Sequence, residues 1–274
     1  MTVQERKQRI PYAADTATHR SEERSVPTIE SQSALLAEKP LIRVSHVRKV
    51  YRMGEERVIA LDDITLDIRR GEMVCFLGTS GSGKSTFLNM VAGLEKPTRG
   101  EIWIGNIPVH KLNEEQVTLF RQKNIGFIFQ AYHLIPSMTA LENVTVPLTF
   151  RGVEKKKRLR AGRAALKSVG LEGYDNRKPS QMSGGQQQRV GIARALVGNP
   201  KILFADEPTG NLDSNTTKEV MDIIVEQARR HGMTLILVSH DRTIAEYTDT
   251  ILTIKDGNIV DTEYRTPREQ KETR

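Results

Sequence analysis

The stretch that decides the fold is Gly78-Thr79-Ser80-Gly81-Ser82-Gly83-Lys84-Ser85-Thr86, which follows an apolar run and precedes a helical pattern. Its spacing is G-x-x-x-x-G-K-[S/T], and in this context the glycines let the backbone curl until several N–H groups point at one phosphate. The N-terminal end of the following helix adds its positive dipole. Lys84 supplies a point charge for the β- and γ-phosphates, and the Ser85 hydroxyl is placed to ligate Mg²⁺. We therefore predict that residues 78–86 form the phosphate loop of a protein that binds a nucleoside triphosphate.

Strand and helix patterns alternate on both sides of the phosphate loop. Apolar runs and period-two alternation predict strands at Leu41–Val47, Val58–Ile68, Met73–Leu77, Glu101–Ile104, Ile125–Phe129, Lys201–Ala205, Thr234–Ser239 and Ile251–Ile254. Helical patterns predominate at about residues 131–195, and a helix with one apolar face is predicted at Asn215–Arg230. The Asp-Gly-Asn sequence at 256–258 is typical of a hairpin turn. This order predicts an α/β sheet domain with an inserted helical segment.

The two ends of the chain differ in composition from this domain. Residues 1–40 are polar and poor in aromatic side chains, so we expect a disordered extension, with order beginning near Leu41. We assign residues 41–260 to the nucleotide-binding domain and residues 261–274 to a polar C-terminal tail.

The composition excludes several classes of protein. A hydrophobic content of 38% is ordinary for a soluble globular protein. No run approaches the roughly 18 apolar residues of a membrane span, and the N-terminus lacks the pattern of a secretory signal, so we expect a cytosolic protein. The one cysteine, Cys75, excludes an internal disulfide and a cysteine metal cluster, and its apolar surroundings predict a buried structural residue.

Most of the net charge of +7 lies in one segment. Residues 151–163 contain seven basic side chains and one acidic side chain, whereas the six basic and six acidic side chains of residues 1–40 cancel. Such a run is compatible with a solvated helix face, with proximity to anionic lipid headgroups or with nucleic-acid binding. Because no aromatic side chains are interleaved on which bases could stack, we expect no nucleic-acid partner.

Two carboxylates follow the strand predicted at Lys201–Ala205. Asp206 lies at the C-terminal edge of this strand, where it would hold Mg²⁺ through water. Glu207 is one residue further on, where a base could polarise an attacking water. Beside a phosphate loop, this pair predicts hydrolysis of the nucleotide, with Lys84 stabilising charge on the phosphoryl group.

A second glycine-containing helix start, Ser183-Gly184-Gly185-Gln186, carries the resemblance to a known family. With Met182 before it, this segment resembles the LSGGQ signature of ABC (ATP-binding cassette) ATPases, Met standing in place of Leu. A hydroxyl, two glycines and a helix N-terminus make a second anion site. In the family these residues meet the γ-phosphate of ATP held by a partner subunit. The resemblance therefore implies a head-to-tail homodimer, with ATP and Mg²⁺ as cofactors.

Four further positions match motifs of the family. Gln130 matches the Q-loop glutamine, which contacts Mg²⁺ and the attacking water, and His240 matches the switch histidine at the γ-phosphate. Asp213 ends an Asn-Leu-Asp string that matches the D-loop at the dimer interface. Tyr51 falls where the family stacks an aromatic ring on adenine, a contact of about 1–3 kcal/mol by analogy with base stacking.

The resemblance also implies the fold and the setting of the protein. The fold class is α/β: a P-loop NTPase core of ABC type with an antiparallel β subdomain and an inserted α-helical subdomain at about residues 131–195. The setting is the cytoplasmic face of the cell membrane, where the subunit would drive a separate transmembrane permease.

Three strings resemble the subfamily of macrolide exporters, lipoprotein-release systems and the cell-division ABC pair: Gln186–Val190, Asp206–Asp213 and Leu141–Val144. This implies an exporter or a related system that transmits mechanical force. A signalling ATPase whose membrane partner regulates an extracytoplasmic hydrolase is the alternative, because the two differ only in the partner. DNA-repair and translation members carry a coiled-coil or zinc-bearing insert, or a second cassette, and neither occurs in this sequence.

Overall fold

Two β-sheets organise residues 39–265, the part of the chain that the computed structural model describes. The first sheet is antiparallel, has the order β2-β1-β4-β5, and consists of β1 (Ile42–Met53), β2 (Glu56–Ile68), β4 (Arg99–Ile104) and β5 (Ile107–Pro108). Gly54, with a φ of 64°, makes the tight turn between β1 and β2. The disorder predicted for the N-terminal extension concerns residues that, as far as residue 38, lie outside the described range.

The second sheet has six strands in the order β10-β9-β3-β8-β7-β6, and all but β10 are parallel. Its strands are β3 (Met73–Leu77), β6 (Ile125–Phe129), β7 (Ile202–Asp206), β8 (Thr234–Ser239), β9 (Thr250–Lys255) and β10 (Asn258–Tyr264). Parallel strands end at one edge of a sheet, which is where such folds bind ligands. The residues that directly follow β3, β6, β7 and β8 are Gly78, Gln130, Glu207 and His240.

Helices cover both faces of the parallel sheet. The α-helices of the described range are α1 (Lys84–Val91), α2 (Glu114–Asn124), α3 (Ala140–Phe150), α4 (Lys155–Ser168), α5 (Gly184–Leu196), α6 (Ser214–Arg230) and α7 (Arg242–Ala245). Two short 3₁₀ turns lie at Val109–Lys111 and Pro179–Gln181.

Three helices, α3, α4 and α5, occupy the stretch between β6 and β7, where the sequence predicted a helical insert. A reciprocal capping box between Thr139 and Glu142 starts α3. Gly162 lets α4 approach α3 closely, because a Cβ at this position would lie 2.5 Å from Cγ2 of Thr145 and 2.7 Å from Cδ1 of Leu141. The glycine therefore sets the spacing of the two helices.

The parallel sheet is buried on both faces, as its continuous apolar strands predict. Along β3, Met73 and Cys75 face a core shared with α3–α6, whereas Val74 and Phe76 face a core shared with α1 and the antiparallel sheet. Burial raises the pKa of the Cys75 thiol to about 12, so the side chain remains an unreactive thiol at neutral pH. The prediction of a buried cysteine is confirmed.

Two strands extend well beyond the bounds that the sequence pattern indicated. β1 does not end at Val47 but continues to Met53, because register shifts between Val44 and Val50 keep it paired with β2 after the apolar alternation fails. The polar tail predicted from residue 261 begins inside a strand, since β10 pairs with β9 as far as Tyr264. The remainder of that predicted tail, residues 266–274, lies outside the described range.

Candidate functional site

The C-terminal edge of the parallel sheet contains a cavity of about 640 Å³. It is lined by Leu77, Gly78, Thr79, Ser80, Gln130, Glu207, His240 and Arg242. The strand order therefore brings together the start of the phosphate loop, the residue predicted as base, and the two residues matched to the Q-loop and the switch. These residues are up to about 160 positions apart in the chain and meet only because β3, β6, β7 and β8 are neighbours in one sheet.

The phosphate loop is built so that two of its glycines cannot be replaced. A Cβ on Gly78 would lie 2.3 Å from the backbone oxygen of Ile254. Gly83 has a φ of 105°, and a Cβ there would lie 2.4 Å from the backbone oxygen of Ala60. Gly83 is also the N-cap of α1 and has no side chain that could bond the N–H groups of the first turn. These donors and the helix dipole make the start of α1 suitable for a phosphate.

Two side chains of the loop fit the same ligand. The Ser82 hydroxyl is buried and has no hydrogen-bond partner among the described residues. The Lys84 side chain is also buried, and its Nζ donates to the backbone oxygen of Thr79 at 2.7 Å. Burial lowers the pKa of Lys84, whereas the negative charges of Glu207 and Asp206 oppose this shift. An anionic ligand would favour the charged ammonium in the same way.

Asp206 and Ser85 lie close together at the end of β7. The Ser85 hydroxyl donates to Oδ1 of Asp206 at 3.4 Å. Burial and the neighbouring charge of Glu207 raise the pKa of Asp206, although the bond from Ser85 opposes the shift. A hydroxyl and a carboxylate are the hard oxygen donors that Mg²⁺ prefers, and Mg²⁺ often takes only one or two protein ligands beside phosphate. The side chain of Gln130, at the cavity, also carries an amide oxygen. The residues present therefore fit the metal.

Glu207 has a strained backbone and a fixed side chain. Its φ of 46° is in the left-handed region, which is unfavourable for a non-glycine residue and often marks a functional position. Its N–H donates to the backbone oxygen of Val238 at 3.0 Å, which ties it to β8. Its Oε2 lies 2.7 Å from Nδ1 of His240. The carboxylate is therefore held at the cavity, next to the predicted switch residue.

Gln130 is anchored through the loop that follows Glu207. The Asn211 amide donates to the backbone oxygen of Gln130 at 3.1 Å, and the Gln130 amide lies 3.5 Å from Oδ1 of Asn211. Gly210 makes room for this side chain, since a Cβ there would lie 2.7 Å from Nε2 of Gln130. The structure thus joins the predicted Q-loop and D-loop within one chain.

Tyr51 is held by a network that sequence reasoning missed. Its hydroxyl donates to Oε2 of Glu95 at 2.7 Å, and Nζ of Lys49 lies 3.0 Å from the same oxygen and 5.0 Å from the centre of the ring. Asn89, on α1, donates to the other oxygen of Glu95 at 3.3 Å. Burial, together with Glu95, raises the pKa of Tyr51. The ring is therefore connected to the helix that follows the phosphate loop, and its contact with adenine stays a prediction.

The predicted signature lies outside the lining of this cavity. Ser183 caps α5 in a reciprocal capping box: its hydroxyl accepts from the N–H of Gln186 at 3.3 Å, and its own N–H donates to Oε1 of Gln186 at 3.1 Å. Gly184 and Gly185 are packed closely, because a Cβ on either would lie within 3 Å of the Tyr132 hydroxyl or of the Thr216 methyl group. The structure does not bring this segment to the phosphate loop of its own chain.

Asp213 has a structural role that the sequence did not predict. It caps α6, where one carboxylate oxygen accepts from the N–H groups of Asn215 and Thr216 and the other accepts from the Thr216 hydroxyl at 2.6 Å. These bonds, with the Thr216 hydroxyl first, lower the pKa of Asp213. Its part in binding nucleotide stays a prediction.

Arg242 is a cavity residue that sequence reasoning also missed. Its guanidinium makes two bonds of 2.5 Å to the carboxylate oxygens of Glu263 on β10. The signal was weak, because the residue lies two positions beyond His240, in a short helix that no motif marks. The strand that anchors it had been assigned to the polar tail.

Comparison with known proteins gives consistent matches. A family profile described as "ABC transporter" matches residues 61–210. The ABC transporter ATP-binding protein MJ0796 of Methanocaldococcus jannaschii is 46% identical over 226 residues, which are 80% of this chain and 95% of that protein. The macrolide export ATP-binding/permease protein MacB of Salmonella typhimurium is 46% identical over 220 residues, which are 80% of this chain but 34% of MacB.

A solved structure agrees with these matches. The dimeric structure of a post-hydrolysis state of MJ0796, bound to ADP and Pi, has a TM-score of 0.76 and 43% sequence identity. It covers 82% of this chain and 99% of the chain to which it is compared. Among residues 39–265, no helix has the length and apolar character needed to cross a membrane.

Proposed function

Because the chain belongs to the ABC transporter family and is one of its ATPases, we propose that it is the motor subunit of a membrane transporter whose permease is a separate protein. The observation that carries this proposal is the convergence of Gly78, Gln130, Glu207 and His240 on one cavity at the strand edge. That arrangement supplies a phosphate cradle, a carboxylate base and two polar side chains around the same space. It fits hydrolysis of a bound nucleoside triphosphate.

In the proposed reaction, a water oxygen attacks the γ-phosphorus of ATP, and the bond from that phosphorus to the β–γ bridging oxygen breaks. Glu207 accepts the proton of the water, and ADP leaves with the bonding electron pair on its terminal oxygen. Lys84 and the N–H groups at the start of α1 stabilise charge on the phosphate oxygens. His240, already 2.7 Å from Glu207, orients the γ-phosphate, and Gln130 orients the water.

Ser85, Asp206 and Gln130 would hold Mg²⁺ beside the phosphates. The metal, when bound, neutralises charge on the β- and γ-phosphate oxygens. Burial disfavours the ionised form of Asp206 and raises its pKa, and a cation beside the carboxylate would offset this cost. Tyr51, tied to α1 through Glu95 and Asn89, provides the face on which adenine stacks.

Two copies would close head to tail, so that Ser183–Gln186 of one subunit caps the ATP held by the other, with Asp213 near the interface. The position of the signature supports this proposal, because Ser183–Gln186 do not line the cavity of their own chain. The relative MJ0796 has a dimeric structure bound to ADP and Pi, which supports a dimeric assembly for this chain.

The helices α3, α4 and α5 would transmit closure to a permease through a groove at Gln130–Pro147. The match to MacB, which is named as an ATP-binding/permease protein, supports an exporter or a related mechanotransmission system at the cytoplasmic face of the membrane. This chain spans about a third of MacB's length.

The variant Glu207→Gln tests the catalytic assignment. It keeps the shape of the side chain but cannot accept the proton, so we expect hydrolysis to fall by about a thousandfold or more while ATP affinity changes little. Glu226→Gln, which changes an exposed glutamate on α6, is the matched control and should hydrolyse ATP like the wild type. Substantial hydrolysis by Glu207→Gln would contradict the base assignment.

The same variant tests the partner. Tagged Glu207→Gln protein, purified with MgATP from gently solubilised membranes, should carry a multi-span membrane protein in matching amounts. A partner whose extracytoplasmic part regulates a hydrolase would favour the signalling alternative over transport. Recovery of ribosomes, nucleic acid or no partner would contradict the proposal of a membrane motor.

A further inference from the structure

One buried amide on α5 connects the two segments that carry the predicted catalytic residues. Gln188 is fully buried, and its Nε2 donates to the backbone oxygen of Phe129 at 3.2 Å and to that of Pro208 at 2.5 Å. Phe129 directly precedes Gln130, and Pro208 directly follows Glu207. A single side chain therefore joins α5, the end of β6 and the turn after β7.

The orientation of this amide is determined by its surroundings. Both Nε2 hydrogens are used by the two carbonyl oxygens, whereas Oε1 is buried and has no partner among the described residues. Turning the amide over would place Oε1 against two other oxygens and would break both bonds. The two hydrogen bonds from Nε2 therefore leave the buried Oε1 without a partner among the described residues. Buried polar atoms without a partner are rare, so this one requires an explanation.

A second contact of α5 holds the same segment from its other side. The Arg194 guanidinium donates to the backbone oxygens of Tyr132 at 2.7 Å and His133 at 2.5 Å. Tyr132 and His133 have φ values of 57° and 46°, both in the left-handed region. The stretch from Phe129 to His133, which contains Gln130, is therefore attached to α5 before and after the glutamine.

α5 is the helix that begins at the predicted signature. Gln188 lies five residues after the N-cap Ser183, which is about 7 Å along a rigid helix. A shift of the helix start would therefore move the Phe129 and Pro208 carbonyls together with it. Catalysis is sensitive to such shifts, since a misplacement of about 1 Å can lower a rate about a hundredfold.

We propose that Gln188 is a positioning residue for ATP hydrolysis. It aligns Gln130 and Glu207 with α5. Binding of the second subunit's nucleotide at the start of α5 and placement of the Glu207 base therefore occur together. The inference rests on the proposed function, because it assigns the start of α5 to the partner's ATP. Gln188 does not touch substrate and acts only through the two backbone oxygens.

The test compares two buried glutamines. Gln188→Met keeps the volume of the side chain and removes both donors. Gln227→Met is the matched control, because Gln227 is 3% exposed, lies on α6 and donates to the backbone oxygen of Ser168 at 3.2 Å, away from the site. We expect Gln188→Met to lower kcat by about 10- to 100-fold, with KM for ATP and nucleotide affinity within about threefold of wild type. Gln227→Met should keep the wild-type kcat per folded molecule.

A second variant gives a readout that packing alone would not produce. In Gln188→Glu, an ionised carboxylate would repel the two backbone oxygens, whereas the protonated acid can donate one bond. Its kcat relative to wild type at the same pH should therefore rise as the pH falls. If Gln188→Met does not fold, this pH profile tests the positioning role of Gln188 instead.

The outcomes separate this inference from the proposed function. A wild-type kcat in folded Gln188→Met, an equal loss in Gln227→Met or a flat relative pH profile for Gln188→Glu would overturn the positioning role. Hydrolysis that persists in Glu207→Gln would instead overturn the proposed base, whatever the Gln188 variants do.

Discussion

The starts of α1 and α5 are both glycine-rich, but their N-caps differ. At α1 the N-cap is Gly83, with a φ of 105° and no side-chain bond to the first turn. At α5 the N-cap is Ser183, which has an ordinary extended conformation and a complete capping box with Gln186. The start of α1 has no side-chain bond to its first N–H groups, whereas at α5 side chains bond the N–H groups of Ser183 and Gln186.

This difference bears on the two anion sites that we propose for the chain. The loop that leads into α1 lines the cavity at residues 78–80. It also contains Lys84 and the Ser82 hydroxyl, which has no hydrogen-bond partner among the described residues. The start of α5 lies outside the lining of the cavity, and the N–H of Gln186 there is bonded to the Ser183 hydroxyl. We infer that α1 binds nucleotide in a single subunit and that α5 binds it only when another subunit presents it.

The largest expected effect comes from adding a methyl group to the start of α1. Gly83→Ala forces a left-handed alanine whose Cβ would lie 2.4 Å from the Ala60 oxygen, so the phosphate loop must distort. We expect a loss of more than about 3 kcal/mol in the free energy of unfolding and a loss of ATP binding. Denaturant unfolding and nucleotide titration measure the two effects.

Gly184→Ala is the matched variant at the start of α5. Its Cβ would lie 2.9 Å from the Tyr132 hydroxyl, the far end of a flexible side chain, so we expect a cost below about 1 kcal/mol and unchanged ATP binding by the single subunit. Equal losses in both variants would show that the two helix starts are not as different as their caps indicate.

Local pattern predicted much of this contrast, and long-range packing accounts for what it missed. The phosphate loop was predictable because glycine spacing, a preceding apolar strand and a following helix are all contained in about fifteen consecutive residues. The left-handed backbone of Glu207 was not predictable, because it depends on a bond to Val238 in another strand. The bridge made by Gln188 joins segments 59 and 20 positions away, and no periodicity reports such a contact.

An intermediate effect is expected when α5 loses the side-chain cap that Ser183 provides. Ser183→Ala removes the acceptor for the Gln186 N–H and should cost about 1 kcal/mol of stability. ATP binding by the single subunit should persist, because α1 is unchanged, whereas hydrolysis should fall at least about tenfold if the hydroxyl meets the partner's γ-phosphate. Steady-state hydrolysis and nucleotide titration on the same preparation separate the two.

Mixing sharpens this prediction. In a mixed dimer of Ser183→Ala and Glu207→Gln, one of the two sites has both an intact base and an intact serine from the partner. If the sites act independently, an equimolar mixture should recover up to about a quarter of the wild-type rate, because half of the dimers are mixed and each has one intact site. A mixture no more active than its components would contradict the head-to-tail arrangement.

The smallest expected effect concerns stability at the start of α1. Asp206, which accepts from Ser85 in the first turn of α1, has its pKa raised by burial and by Glu207. The folded protein therefore binds this proton more tightly than the unfolded chain, and stability falls as pH rises through the folded pKa of Asp206. At neutral pH the ionised carboxylate is destabilising, so Asp206→Asn should have a slightly higher Tm than wild type, and the gap should narrow as pH falls.

Asp213→Asn, which changes the N-cap of α6, should behave in the opposite way. Hydrogen bonds lower the pKa of Asp213, so its ionised form contributes stability above the unfolded pKa, and this contribution is lost as pH falls through the folded pKa. The Tm of Asp213→Asn should therefore not rise above wild type at neutral pH.

MgATP should raise the Tm of wild type more than that of Asp206→Asn, because only wild type keeps the carboxylate for the metal. If Asp206→Asn without ligand has a lower Tm than wild type at neutral pH, the ionised Asp206 carboxylate does not destabilise the folded protein.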